Sequence, residues 1–347
     1  MMKALVLNSD GERPQLQLRD VAVPTPGAND VLLRVAACGI CYHDVAVVDG
    51  TLRRGVKPDV ILGHEVSGVV SAVGDAVASV KPGERVVAAL TAFCGECVRC
   101  ESGNEYRCLN GRGFGHSLDG GFAQYMSVPQ SAVIPVPDSI DLLEASLLAC
   151  PIGVAISAIE DAARLRSGET ALVVGAGGGL GAHLAQVAAA LGARVLAVTS
   201  SPEKLDDLES LPGVETILAD SELDFSEIVL ALTGDSGADV VLNPVGSALF
   251  GSCVASMAQF GRMVVLGEVA GRAARFNLAE LLFRDATVRG STGASPRHIR
   301  RAIDLFASGA ITPILSQQFA FDEARDAIKQ MRSASTFGRV ALIPPAD

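Results

Sequence analysis

The sequence predicts an α/β protein in two parts, a β-rich part first and a doubly wound parallel sheet after it. Three observations carry this. Short β-branched runs punctuated by Gly and Pro fill residues 1 to about 135. From about residue 170, strand-like runs recur at a spacing of roughly twenty-odd residues, one strand plus a crossover helix. And 347 residues are too many for one ordinary core.

In the first part the strand-like runs are "KALVL", "VLLRVA", "VSGVVSAVG" and "ERVVAAL". The texture then changes. "TALVVGAGGGLGAHLAQVAAALGARVLAVT" reads as strand, glycine turn, helix and strand. Leu184, Val187, Ala188 and Leu191 fall on one helical face, and Gly192 marks its end. "ETILA", "ADVVLNPVG", "GRMVVLGEV" and "ATVRGST" continue the strand rhythm, so the α/β block spans 152–292. The tail leaves that rhythm. Ser295 is the expected N-cap of a helix that opens with Pro296. A further helix places Ala324, Ala327, Ile328 and Met331 on one face.

Composition excludes several function classes. Apolar residues at 49% and charged ones at 19% support a buried core rather than disorder. The net charge is -11 with no basic run, so nucleic acid and anionic membrane are poor partners. The absence of Trp, with only three Tyr, argues against a stacking platform for single strands. The opening "MMKALVLNSDGERP" has no signal-type apolar core, and no stretch approaches the ~20 apolar residues of a membrane span. The expectation is a soluble cytoplasmic protein. In a reducing compartment, its eight cysteines point to metal or chemistry before disulfides.

"GAGGGLG" follows an apolar strand and opens a helix, the context a dinucleotide-binding turn requires. The strict G-x-G-x-x-G register fails because Leu180 falls at its last place; Gly175, Gly178 and Gly181 give the workable one, with Gly179 inside the turn. Glycines let the backbone approach a pyrophosphate, and the helix N-terminus offers it free N–H groups. The next strand ends in Thr199, Ser200 and Ser201, with no carboxylate to repel a ribose 2′-phosphate. The hydroxyls can donate to that phosphate and Lys204 can supply charge, which favours NADP(H) over NAD(H). The plainer reading makes Ser201 before Pro202 a helix cap, and both can hold.

Cys94, Cys97, Cys100 and Cys108 follow the pattern C-x2-C-x2-C-x7-C. Four thiolates so spaced can close a tetrahedron on a structural zinc; an iron–sulfur site and two disulfides are the alternatives. His64 and Glu65 sit in "GHEVSGVVSAVG", with Cys41 upstream and Cys150 downstream. Two thiolates and an imidazole make a zinc site with an open fourth position.

The pattern G-H-E-x2-G-x5-G-x2-V, the four-cysteine loop and the glycine turn occur in the order found in zinc-containing alcohol dehydrogenases, members of the medium-chain dehydrogenase/reductase superfamily, and the chain resembles them over essentially its whole length. The resemblance implies a GroES-like catalytic domain at 1–151 and 293–347 around a Rossmann domain at 152–292, with the active site in the cleft between them. It implies a catalytic zinc on Cys41, His64 and Cys150, with Glu65 as exchangeable ligand and Asp44 orienting the ligand histidine. It places the turn residues and Arg339 at the pyrophosphate. Val245 of "NPVG", Leu266 and Gly267 of "LGE", and Ser291 of "GST" would line the nicotinamide. The activity implied is hydride transfer between NAD(P)(H) and a zinc-bound alcohol or carbonyl, in a homodimer or homotetramer acting on a small molecule.

The family pattern breaks at one place. Family members usually carry Ser or Thr two residues after the first zinc cysteine, and many carry a His three residues later, a relay for the alcohol proton. This chain has His43 and Ala46 there. His43 is read first as the relay itself, since an imidazole ordinarily titrates at about 6.5 and so suits proton exchange at neutral pH. Second, the relay is lost and the enzyme reduces a C=C or C=N bond; the "C-x-x-C-Y-x-D" form is also similar to archaeal acryloyl-CoA reductases. Third, His43 is a pocket wall. His116, in the glycine-rich stretch 113–121, is read as pocket or plain loop.

Overall fold

The computed structural model describes residues 1–8, 14–219, 224–333 and 335–346. It divides into two compact units, Met1–Gly153 with Gly293–Asp347, and Val154–Thr292.

The first unit is built on a seven-stranded sheet. Its long central strand, Asp30–Gly39, is buried along nearly its whole length and pairs antiparallel with Glu65–Val73, Tyr125–Pro129 and Arg339–Ile343. Buried Val31, Leu33, Val35 and Cys38 give it the apolar side chains of an inner strand. The register matters for the site. It sets Gly39 opposite both Glu65 and Ala341, so Glu65 and the nearby Arg339 converge on the end of the strand that leads to Cys41. Gly39 is the residue that permits this, since a Cβ there would lie 2.2 Å from Oε2 of Glu65.

The expected tail helices lie in this unit. Ser295 caps Pro296–Ala307, its N–H donating to Nδ1 of His298 at 3.0 Å. In Ala324–Ser333, Ala324, Ala327 and Ile328 are buried as the period predicts, while Met331 is half-buried. Several strands are not singled out by the sequence: Tyr125–Pro129, Val133–Pro135, Leu315–Ala320, Arg339–Ile343 and Gln15–Val21, the last antiparallel to Met2–Asn8. The "QLQLRDV" of Gln15–Val21 is too polar to stand out as a strand.

The second unit is a six-stranded sheet of β1 (Thr170–Val174), β2 (Arg194–Thr199), β3 (Val214–Leu218), β4 (Ala238–Asn243), β5 (Met257–Val265) and β6 (Thr287–Gly290). All pairings are parallel, in the order β3-β2-β1-β4-β5-β6. That is the doubly wound Rossmann order, with its switch point between β1 and β4. The inner strands are near-continuously buried, as a sheet covered on both faces requires. Leu172, Leu196, Val241, Met263 and Phe225 share one core, in which Cys253 is a packing residue. The helix Gly181–Ala190 follows the glycine turn and stops at Leu191, just before Gly192. At the sheet edge, all four residues of β6 are exposed. Among the described residues, no helix is long and apolar enough to cross a membrane.

Candidate metal centres and nucleotide turn

Ligand atoms of Cys41, His64, Glu65 and Cys150 lie within 4.8 Å of one another, all in the first unit. Each is placed by a backbone feature. Cys41 is the N-cap of the short helix Tyr42–Val48. His64 immediately precedes the strand Glu65–Val73. Cys150 breaks a helical stretch with φ -138° and ψ 127°, because the residue before Pro151 is barred from the helical region. The set of two thiolates, one imidazole and one carboxylate suits a borderline-soft ion such as zinc.

The fully buried Asp44 ties this cluster together. Its Oδ2 accepts the Cys41 N–H at 2.9 Å, and its Oδ1 accepts the Gly63 N–H at 3.2 Å. Oδ1 also stands 3.8 Å from Nδ1 of His64, which leaves the other ring nitrogen to face the cluster. Burial lowers the pKa of His64, but the charges of Asp44 and Cys41 outweigh it and push the value up to about 9. The hydrogen bond from Cys150 holds Cys41 well below the ordinary thiol range, and the Arg339 guanidinium adds to it; Cys150 is raised in return.

Arg339, which the resemblance sends to the pyrophosphate, is buried against this cluster. Its Nη2 lies 3.1 Å from Glu65 Oε1, 3.6 Å from Cys41 Sγ and 3.8 Å from Cys150 Sγ. Burial raises Glu65 to about 8 even though Arg339 lowers it. Removing Glu65 would leave the buried guanidinium short of a partner, and removing Arg339 would push the Glu65 carboxyl still higher.

His43 stands edge-on to His64, with ring centroids 5.2 Å apart at 86°. Its Nε2 is 3.3 Å from Nδ1 of His116, whose Nε2 reaches the Arg54 carbonyl at 3.1 Å. The sequence reads His116 as pocket or plain loop without choosing between them. Its signal was weak: the chain has only five histidines, but nothing local shows that three of them converge.

The four-cysteine loop forms a second cage. Sγ–Sγ distances are 3.4 Å (Cys94–Cys108), 3.5 Å (Cys97–Cys100), 3.8 Å (Cys97–Cys108) and 4.0 Å (Cys94–Cys100). Four thiolates at 2.3 Å from one tetrahedral ion stand about 3.8 Å apart, so the cage fits a single metal ion. None of these pairs is near the ~2.05 Å of a disulfide, and all eight cysteines are free thiols. Hydrogen bonds from the backbone of Leu109 and Cys100 hold Cys97 down to about 6, which favours a thiolate ligand.

In the second unit the glycine turn sits at the switch point. A Cβ on Gly181 would lie 2.2 Å from the Gly175 carbonyl oxygen, so only glycine lets the helix start this close to the turn. That cradle fits a dinucleotide pyrophosphate. Val245 lies against Gly175 across the switch point. The buried Asn243 shapes that second turn: its Oδ1 accepts the N–H groups of Val245 at 3.0 Å and Gly246 at 2.7 Å. Glu268 latches this turn to the loop after β5, accepting from Ser247 N and Oγ and from Gly271 N, each at 2.8 Å. Leu266 N–H donates to the Asn243 carbonyl at 2.8 Å, and Ser291 N–H to that of Val265 at 3.0 Å. At the end of β2, Ser200 is exposed, while Thr199 is buried and caps Ser201 N–H at 3.2 Å. Lys204 is buried, with Nζ donating to the Gly177 carbonyl at 3.2 Å; its cation braces the turn instead of standing out from it.

A doubly wound sheet with a glycine turn at its switch point, in one chain with a Cys2His donor set, defines a metal-dependent dehydrogenase. Comparison with known proteins agrees. The alcohol dehydrogenase GroES-like domain family matches residues 27–138, and the zinc-binding dehydrogenase family matches residues 179–308. Acryloyl-coenzyme A reductase of Metallosphaera sedula is 32% identical over 98% of this chain and 99% of its own. An alcohol dehydrogenase of a Moraxella strain is 29% identical over 98% and 99%. The crystal structure of a zinc-binding dehydrogenase from Sinorhizobium meliloti, bound to NADP, superimposes with a TM-score of 0.87 at 31% identity over 99% of both chains. The chain belongs to the zinc-containing alcohol dehydrogenase family of the medium-chain dehydrogenase/reductases, and it is an oxidoreductase on that scaffold.

Proposed function

We propose that this protein is an NADP(H)-dependent alcohol dehydrogenase or carbonyl reductase acting on a small molecule. Cys41, His64 and Cys150 hold the catalytic zinc, Glu65 is its exchangeable ligand, and Cys94, Cys97, Cys100 and Cys108 hold a structural one. The first unit is the catalytic domain and the second binds the dinucleotide. When bound, zinc supplies a Lewis acid for the substrate oxygen and the nicotinamide carries the hydride.

The chain's own residues do the rest. Asp44 orients His64. Arg339 holds Glu65 through Nη2. The N–H groups of Gly179, Leu180 and Gly181 take the pyrophosphate, while the Gly178 N–H closes the turn onto the Gly175 carbonyl at 3.0 Å. The loops bearing Val245, Leu266, Gly267 and Ser291 line the nicotinamide. Ser200 takes the 2′-phosphate with Thr199 and Lys204 behind it; the missing carboxylate at this strand end and the NADP in the Sinorhizobium relative support that choice. Eight free thiols fit a cytoplasmic setting. Exposed β6, with Leu278, Leu282 and Phe283 each at least 70% exposed beside it, fits a homodimer or homotetramer.

The observation that carries the reading is His43, an imidazole 5.2 Å from the ligand histidine's ring at the place of the family's hydroxyl relay. It handles the alcohol proton. The likeness to an acryloyl-coenzyme A reductase favours a second reading, conjugate reduction of a C=C bond. One incubation separates them: zinc-loaded protein, NADPH and an α,β-unsaturated ketone. An allylic alcohol supports the first reading and a saturated ketone the second. If His43→Ala left carbonyl reduction and its pH profile intact, the relay role would be lost.

A further inference from the structure

We propose that His116, anchored by the main-chain carbonyl of Arg54, is a positioning residue that fixes the tautomer and orientation of His43. This rests on the reading of His43 as the proton-handling group.

A carbonyl oxygen only accepts, so the Nε2 of His116, 3.1 Å from the Arg54 oxygen, must carry the hydrogen. A neutral imidazole has one N–H, so His116 Nδ1 is the acceptor. Burial and the neighbouring His43 hold the pKa of His116 below its ordinary value, consistent with the neutral ring. His43 Nε2, 3.3 Å away, must then be the donor. A neutral His43 so engaged has its lone pair on Nδ1.

One group competes for that assignment. Asp44 Oδ1 would draw a hydrogen onto His43 Nδ1, but it lies 4.0 Å away, beyond hydrogen-bond reach. Both Asp44 oxygens already accept backbone N–H groups, from Cys41 at 2.9 Å and Gly63 at 3.2 Å. The 3.3 Å contact therefore decides the tautomer. Nδ1 of His43 is buried and has no hydrogen-bond partner among the described residues. It carries the lone pair of the ring.

The anchor is held in place. The His116 carbonyl accepts the Lys57 N–H at 2.8 Å. Lys57 Nζ pairs with Asp119 Oδ2 at 2.6 Å, and Asp119 Oδ1 accepts the Ile61 N–H at 3.0 Å. The segment carrying Arg54 and the loop carrying His116 are thus tied at several points.

The test is two-bond 1H–15N correlation of the zinc-loaded, 15N-histidine-labelled protein without substrate, with His43 identified by its loss in His43→Ala. Wild-type His43 is expected as the Nε2–H tautomer. His116→Ala should give mixed tautomers and lower kcat roughly 10- to 100-fold, with KM for NADPH unchanged. His116→Gln should restore both, since its amide can donate to Arg54 and accept from His43. An Nδ1–H tautomer in the wild type, or an Nε2–H tautomer that persists in His116→Ala, would overturn the proposal. The spectrum is read without turnover, so it fails independently of the relay reading, which His43→Ala kinetics test.

Discussion

The Asp44 carboxylate is outside the donor set of Cys41, His64, Glu65 and Cys150, yet it holds the main chain of Cys41 and Gly63 and faces His64 at 3.8 Å. Asp44→Ala is expected to weaken zinc binding at that cluster about 10- to 100-fold, measured by competition with a chromophoric chelator. The four-cysteine zinc should be retained, because Asp44 does not reach it. The pKa of about 9 at His64 has a sign that can be checked. Below that value the metal-free ring is protonated and must lose a proton to ligate. Apparent zinc affinity should therefore rise with pH up to about 9, near tenfold per unit for this proton, and level off above. The raised value also means that protonated His64 stabilises the metal-free protein fully below its unfolded pKa of about 6.5, and that this is lost as pH climbs toward about 9. The increase in melting temperature on adding zinc should grow over the same window. At this scale the ligand residue types were legible because Cys and His carry metal chemistry in their own atoms. The His43–His116 contact was not legible, because it joins residues 73 positions apart across two loops.

Among the elements, the glycine turn was legible as a unit, since strand, glycines and amphipathic helix follow one another without a gap. Its register was readable too, and the close approach of Gly181 to the Gly175 carbonyl shows why the third glycine matters. Gly181→Ala is expected to push the helix off the turn and lower NADPH affinity at least about tenfold, read by the nucleotide's own fluorescence. Zinc content should not change, because every cysteine of the two cages lies in the other unit. The strand Gln15–Val21 escaped the sequence because polar residues interrupt its alternation, and its pairing with Met2–Asn8 is what makes it a strand. Lys204 shows the reverse case. A lysine after the second strand suggests a free cation, but burial and the Gly177 carbonyl engage it.

For the whole molecule, the exposed edge of the six-stranded sheet is the feature a solution experiment can reach. An uncovered edge strand with apolar neighbours invites a second copy. Val288→Lys in β6 should shift the protein to a smaller species by light scattering; an unchanged mass would remove β6 from the interface. The sequence by itself determined the α/β class, the rhythm of the parallel sheet, the glycine turn and which side chains can bind metal. Those depend on local periodicity and on residue chemistry, which are written along the chain. Only the tertiary structure decided that Arg339 faces Glu65 and the thiols, that the four-cysteine cage has the dimensions of one ion, and that His116 stands behind His43. The Arg339 and His116 contacts join distant segments through strand register and loop packing and have no local sequence signature, whereas the cage is announced by its cysteine spacing and only its dimensions are set by the folded loop.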